Sequence, residues 1–203
     1  MNGSHKSTET EKERKQNAIL DAAASSIALY GMGVPTAEIA KRACVSKGAL
    51  FLHFSSKDEL FRQLHQCLEN DLAALLAAEY PADASIERQF RHVWECYIDW
   101  AWRAQARHRA LRQLEMSSRL RNVSRETALF SAIDGVTSTV NQYHISGDRT
   151  ATFLFLCNVM ESIATTVLDM MATDPGGFDD FKSLGWITFW GAASACITLG
   201  DSI

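Results

Sequence analysis

Apolar residues recur along this chain at spacings of three and four, and the interruptions fall at Gly, Pro, Ser and Asp, so the pattern predicts a succession of helices. Lys12 to Leu29 carries Ile19, Ala22, Ala23 and Ile27 on one stripe, with Tyr30 just beyond, and stops at Gly31 and Gly33. Thr36 is placed to cap a short helix running to Ala43, Cys44-Val45-Ser46 turns the chain, and Ser46 caps a third helix through His53. Ser56-Lys57-Asp58-Glu59 has the form of a capping box and opens a long helix to about Ala78, which Pro81-Ala82-Asp83-Ala84 breaks. An aromatic-rich helix is expected from Ser85 to about Gln105, a shorter one over His108 to Leu120, and another over Arg125 to Tyr143. Two long, weakly charged segments, Asp148 to Thr173 and Phe178 to Leu199, are separated by Asp174-Pro175-Gly176-Gly177 and predict an antiparallel pair. The fold class read from this pattern is all-α. An N-terminal three-helix domain occupies residues 1–56, including a polar arm, and a larger helical domain occupies residues 57–203.

The segment from Thr36 to Phe54 has the physical pattern of a helix-turn-helix. Two closely crossing helices need a small residue at the contact, here Ala40, and a shared core, here Ile39, Ala43, Val45, Leu50 and Phe54. The outward face at the start of the second helix is small or polar: Ser46, Lys47, Gly48 and Ala49. Small side chains there let a backbone approach base edges in a major groove about 12 Å wide, with Lys47 facing guanine acceptors and Ala49 a thymine methyl. Thr36, His53 and Lys57 are the candidates for gripping phosphates and setting the register. The competing account is a small helical subdomain packed for stability, with its lysines merely solvated.

Charge supports the nucleic-acid account. The formal net charge is −4. Residues 1–62 nevertheless hold nine Lys/Arg against seven Asp/Glu, while the remainder holds eleven against seventeen. A mildly basic end on an acidic body suits a protein whose one end meets phosphates.

These residues resemble the TetR family of regulators. The resemblance runs over Ile19-Leu20-Asp21-Ala22-Ala23, Ile39-Ala40, Val45-Ser46-Lys47-Gly48-Ala49-Leu50-Phe51-Leu52-His53-Phe54 and Lys57-Asp58-Glu59-Leu60. It implies operator binding by a homodimer, usually to repress, with release by a small molecule held in the larger domain. Two positions depart from the family pattern: Cys44 stands where the family mostly has a turn glycine, and Phe51 where it mostly has tyrosine, whose hydroxyl would bind a phosphate. A non-glycine residue in a left-handed turn costs about 1 kcal/mol.

Within the body, Ala106-Arg107-His108-Arg109-Ala110-Leu111-Arg112-Gln113-Leu114, with Phe90 to Trp100 ahead of it, resembles RamR-type multidrug-responsive members of that family. The resemblance implies bulky, cationic or amphipathic effectors. Aromatic walls attract flat cations and methionines adapt to several shapes, which makes Trp94, Tyr97, Met116, Phe130, Phe155 and Met160 the candidate lining. His65, Glu69 and Asp134 are the candidate polar anchors. Aromatics at helical spacing equally serve as ordinary core. The final helix pair, with Phe155, Val159, Ile163, Val167, Met170, Trp186, Phe189, Trp190, Ala193 and Ile197, is more apolar than a monomer surface requires and predicts a four-helix dimer interface.

Other classes find less support. Five scattered cysteines without a C-x-x-C pair predict reduced thiols rather than disulfides or zinc, and no H-E-x-x-H or nucleophile-base arrangement marks an enzyme, so neither metal nor cofactor is expected. A helical enzyme acting on hydrophobic substrates and a protein-binding adaptor are the alternatives. The polar N-terminus lacks the apolar core of a signal peptide, and no run of about 18 uncharged apolar residues occurs, so a cytoplasmic protein that does not enter the membrane is expected.

Overall fold

The computed structural model describes residues 10–117, 143–145 and 149–199. Two compact units emerge, one comprising residues up to Glu69 together with the segment that begins at Gln105, the other comprising Asn70–Ala104 and the C-terminal part.

The first unit begins with α1 (Glu11–Tyr30), α2 (Thr36–Arg42) and α3 (Lys47–His53), continues into α4 (Lys57–Ala77), whose residues to Glu69 belong here, and adds α6 (Gln105–Met116). A complete capping box starts α1: Thr10 Oγ1 accepts from the Glu13 amide and the Glu13 side chain accepts from the Thr10 amide. Gly31 ends the helix at φ 76, a left-handed conformation that glycine takes without steric cost, and its amide donates to the Ile27 carbonyl at 2.8 Å. Thr36 is not a cap. Pro35 holds that position with no side-chain bond, and Thr36 is the first helical residue, because proline's fixed φ presets the helix entry. At the start of α4, Ser56 Oγ accepts from the Glu59 amide, but the Glu59 carboxylate is engaged by Arg62 and Gln63 rather than returning to the cap. Ile19, Ala23 and Ile27 of α1, Ile39 of α2, Leu50 of α3 and Leu60, Leu64 and Leu68 of α4 are buried. The amphipathic α6 packs on α1, burying Ala110, Leu111 and Leu114, and Arg107 reaches Asp21 at 3.3 Å.

The second unit contains the rest of α4, α5 (Ile86–Arg103), α7 (Arg149–Thr173), a 3₁₀ turn at Pro175–Gly177 and α8 (Phe178–Cys196). The connection between α4 and α5 is held by one buried side chain. Gln89 donates to the carbonyls of Ala82 and Ala84 at 3.0 and 2.9 Å and accepts from Tyr80 Oη at 2.7 Å, so none of its amide polarity is left buried without a bond. Helix α8 packs against both α5 and α7. Gly185 permits the close approach: a Cβ there would lie 2.5 Å from the Trp94 ring and 2.6 Å from Val167. The Trp94 indole stacks on Phe189 at 6.2 Å and donates to the Lys182 carbonyl, and Lys182 in turn bonds Asp99 at 2.5 Å.

The last helix stops three residues earlier than its apolar run. Ile197–Leu199, led by β-branched residues, is extended (β2) and pairs antiparallel with Tyr143–Ile145 (β1), in the register Tyr143 to Leu199. Tyr143 therefore lies in a strand rather than at a helix end. The remainder of the helix expected over Arg125 to Tyr143 lies outside the described residues.

Candidate nucleic-acid interface

The turn between α2 and α3 is built as the residue types require. The Ala43 amide donates to the Ile39 carbonyl at 2.9 Å, and the Val45 amide donates to the Ala40 carbonyl at 3.0 Å. Between them Cys44 adopts φ 56, so the left-handed position expected of a glycine is occupied by a side chain that is exposed. Ser46 caps α3 by accepting from the Ala49 amide at 3.0 Å. Ile39, Ala40, Leu50 and Phe54 are buried as the common core, while Ala43 and Val45 are half-buried.

The opposite side of α3 is open. Ser46, Lys47, Gly48, Phe51 and Leu52 are exposed and Ala49 is half-buried. A Cβ at Gly48 would meet only Ser46 Oγ, at 3.8 Å. The Lys47 ammonium lies 6.0 Å from the Phe51 ring centroid, one turn along the helix, and the first turn of α3 carries no acidic residue. At the flanks, Thr36 and His53 are half-buried, and His53 Nδ1 is buried without a hydrogen-bond partner. The Lys57 ammonium donates to the Met32 carbonyl at 2.9 Å and lies 5.1 Å from the Phe61 ring, tying the α1–α2 connection to the first turn of α4. Sequence reading passed over Leu52, which is 86% exposed. The signal was available: Leu50 and Phe54, four apart, form the buried stripe, and a residue midway between them points to the other side of a helix.

Residues 19–64 match the profile of bacterial regulatory proteins, tetR family. The domain over these residues is similar to that family. The fold extends beyond that domain. A tetR family transcription regulator from Shewanella sp. PV-4 superposes with a TM-score of 0.73 at 20% identity, over 88% of this chain and 97% of the other. One from Marinobacter aquaeolei VT8 gives 0.73 at 17% identity, over 88% and 94%, and a TetR-like regulator from Rhodococcus sp. RHA1 gives 0.63 at 23%, over 89% and 96%.

The candidate ligand residues fall in both units. In the first, His65 Nδ1 lies 3.3 Å from Glu69 Oε2, one turn apart on α4, and both are nearly enclosed. Burial pushes the Glu69 carboxyl up to about 7 and pushes the His65 imidazole down, while His65 Nε2 is buried with no hydrogen-bond partner. Met116, near the end of α6, is 72% exposed. In the second unit Trp94 and Tyr97 are buried on α5, with Tyr97 6.1 Å from Trp100, and Met160 is buried on α7. Phe155 is 60% exposed. Phe130 and Asp134 lie outside the described residues.

The apolar helix pair also divides. Val167, Trp186, Phe189, Ala193 and Ile197 are buried, whereas Phe155, Met170, Leu184 and Ile187 are exposed. The stretch Phe155–Thr173 has the length and apolarity of a membrane span, but Glu161 and Asp169 interrupt it.

Proposed function

We propose that this chain is a repressor that binds palindromic operator DNA as a homodimer through residues 1–56 and releases it when a small hydrophobic or cationic compound binds the 57–203 domain. Control of multidrug efflux in the cytoplasm is the setting that this reading favours. The observation that carries it is the face of α3: a capped helix with exposed Lys47, a bare Gly48 and no acidic residue in its first turn, which suits close approach to a phosphate-lined groove. Thr36, Ser46, Lys47, Gly48, Ala49, Phe51, His53 and Lys57 are the proposed contact set.

Dimerisation uses the apolar surface that α7 and α8 leave open, with Phe155, Met170, Leu184 and Ile187 at its centre. Patches of this kind on a folded chain mark association sites. A two-fold dimer of helix-turn-helix proteins sets its recognition helices about 34–36 Å apart, so the operator has two-fold symmetry. Ligand binding acts through α4, an uninterrupted helix from Lys57 to Ala77 that contains His65 and Glu69. A ligand that binds one conformer better than the other changes the separation of the recognition helices, and the dimer loses its simultaneous hold on two half-sites.

The test is binding of the purified chain to the intergenic DNA beside its own gene, across a salt series, with and without a cationic dye. Tight binding that weakens steeply with salt and is reversed by the dye supports the switch. Absence of binding at low salt, to that DNA and to a random duplex pool, overturns it. Lys47→Ala is expected to lower affinity by roughly 5- to 150-fold, which corresponds to about 1–3 kcal/mol.

A further inference from the structure

We infer that Leu52 determines part of the sequence specificity by covering a thymine methyl group in each half-site; this rests on the operator-binding reading above. Leu52 is more exposed than any other large apolar side chain among the described residues, at 86%. It lies on a seven-residue helix whose apolar requirement is already met by buried Leu50. Leaving a leucine in water forfeits the hydrophobic gain of burying it, and among the described residues nothing covers this one.

The arrangement of α3 says what does. Residues three and four apart share a helix face, so Gly48, Ala49 and Leu52 lie together, and Lys47 and Phe51 lie beside them. Gly48 adds no bulk and Ala49 only a methyl, so Leu52 projects beyond its neighbours on that face. The Lys47 ammonium beside the Phe51 ring provides the positive charge that brings this face to phosphates, while Leu52 has no hydrogen-bonding group and cannot contact them. Among the groups displayed in the major groove, the thymine C5 methyl is the apolar one. A basic, small-residue face with one projecting leucine is complementary to a groove that presents thymine at a fixed position.

Deoxyuridine tests this directly, because it removes the methyl and leaves pairing and hydrogen-bonding groups unchanged. Duplexes selected from a random pool by the full chain would be resynthesised with each thymine replaced in symmetric pairs, and affinities measured by fluorescence anisotropy. At one symmetric pair the wild type is expected to lose roughly fourfold per half-site, the equivalent of one buried methyl group. Leu52→Ala binds the thymine duplex more weakly and no longer distinguishes deoxyuridine at that pair, while Leu52→Met retains discrimination. An unchanged thermal melt of Leu52→Ala separates this from misfolding, as its exposure leads one to expect. Equal wild-type affinity at every thymine and deoxyuridine overturns the inference, and so does discrimination that persists in Leu52→Ala. Failure to select any duplex overturns operator binding itself, and the inference with it.

Discussion

Helices α3 and α8 both leave apolar side chains in solvent, and they do so in opposite ways. On α3 the exposed leucine stands among Lys47, Gly48 and Ser46, on a helix of seven residues whose other face is sealed by Leu50. On α8, Leu184 and Ile187 are exposed along a helix that is apolar on nearly every side, and Phe155 and Met170 of α7 are exposed as well. The first pattern is one projecting leucine, with the partly exposed Phe51 ring beside it, within a polar, basic surface. The second is a repeated apolar surface on long helices. Water tolerates the first, and the second favours association over a larger area. On the proposed reading, the same residue type serves fine recognition in one region and assembly in the other, according to what surrounds it.

The contrast breaks most readily at α8. Ile187→Arg is expected to convert a dimer to a monomer, weakening association at least a hundredfold while helical content is retained, as read by light scattering and circular dichroism; a dimer that persists removes this face as the interface. Next in size is the interior that supports it. Gly185→Ala places a methyl against Trp94 and Val167 and is expected to cost about 1–3 kcal/mol in denaturant unfolding, with Trp94→Ala costing about 3–5 kcal/mol. A wild-type-like Gly185→Ala would show that α8 slides freely over α5.

The buried pair on α4 makes stability depend on pH, with opposite signs at its two members. Glu69 has a folded pKa raised to about 7 from the ordinary 4.5, so its contribution is fully present below pH 4.5 and disappears as pH rises through 7. His65 is shifted down, so its contribution is present above its usual pKa of 6.5 and is lost as pH falls. Unfolding measured between pH 4.5 and 8 should show the Glu69 contribution falling up to about pH 7, opposed by a rise from His65 up to pH 6.5 and level above both, and Glu69→Gln should remove the falling part. An unchanged slope in Glu69→Gln would assign the dependence to other groups. The smallest effect is local to the turn before α3. Cys44→Gly relieves a left-handed side chain and is expected to stabilise by about 0.5–1 kcal/mol, with the unfolded chain's added freedom offsetting part of the gain.

Much of the first unit was readable in order of residues. Gly31, Ser46 and the small turn before α3 act on their own neighbours, and the end of α1 and the start of α3 follow from backbone conformations that only a few residues tolerate or cap. The exceptions are equally local. Thr36 and Pro35 are both acceptable at a helix start, and Glu59 had Arg62 and Gln63 within one turn competing for its carboxylate. The candidate ligand residues were less legible, because an aromatic stripe has the same spacing whether it lines a cavity or fills a core. Trp94 is built into the interior by Phe189, Gly185 and the Lys182 carbonyl, partners 88 to 95 residues distant that no periodicity on α5 announces.

By itself the sequence determined most of the described helices, the helix-turn-helix and the family that this domain resembles, because periodicity, capping and turn conformation are set within a few residues. Tertiary structure decided which apolar residues are interior and which are surface, that α6, starting at Gln105, packs on α1, starting at Glu11, and that the chain beyond Cys196 is extended to pair with Tyr143–Ile145. Burial is a property of what comes to lie beside a residue. Long-range contacts supply that, and a spacing along one helix cannot.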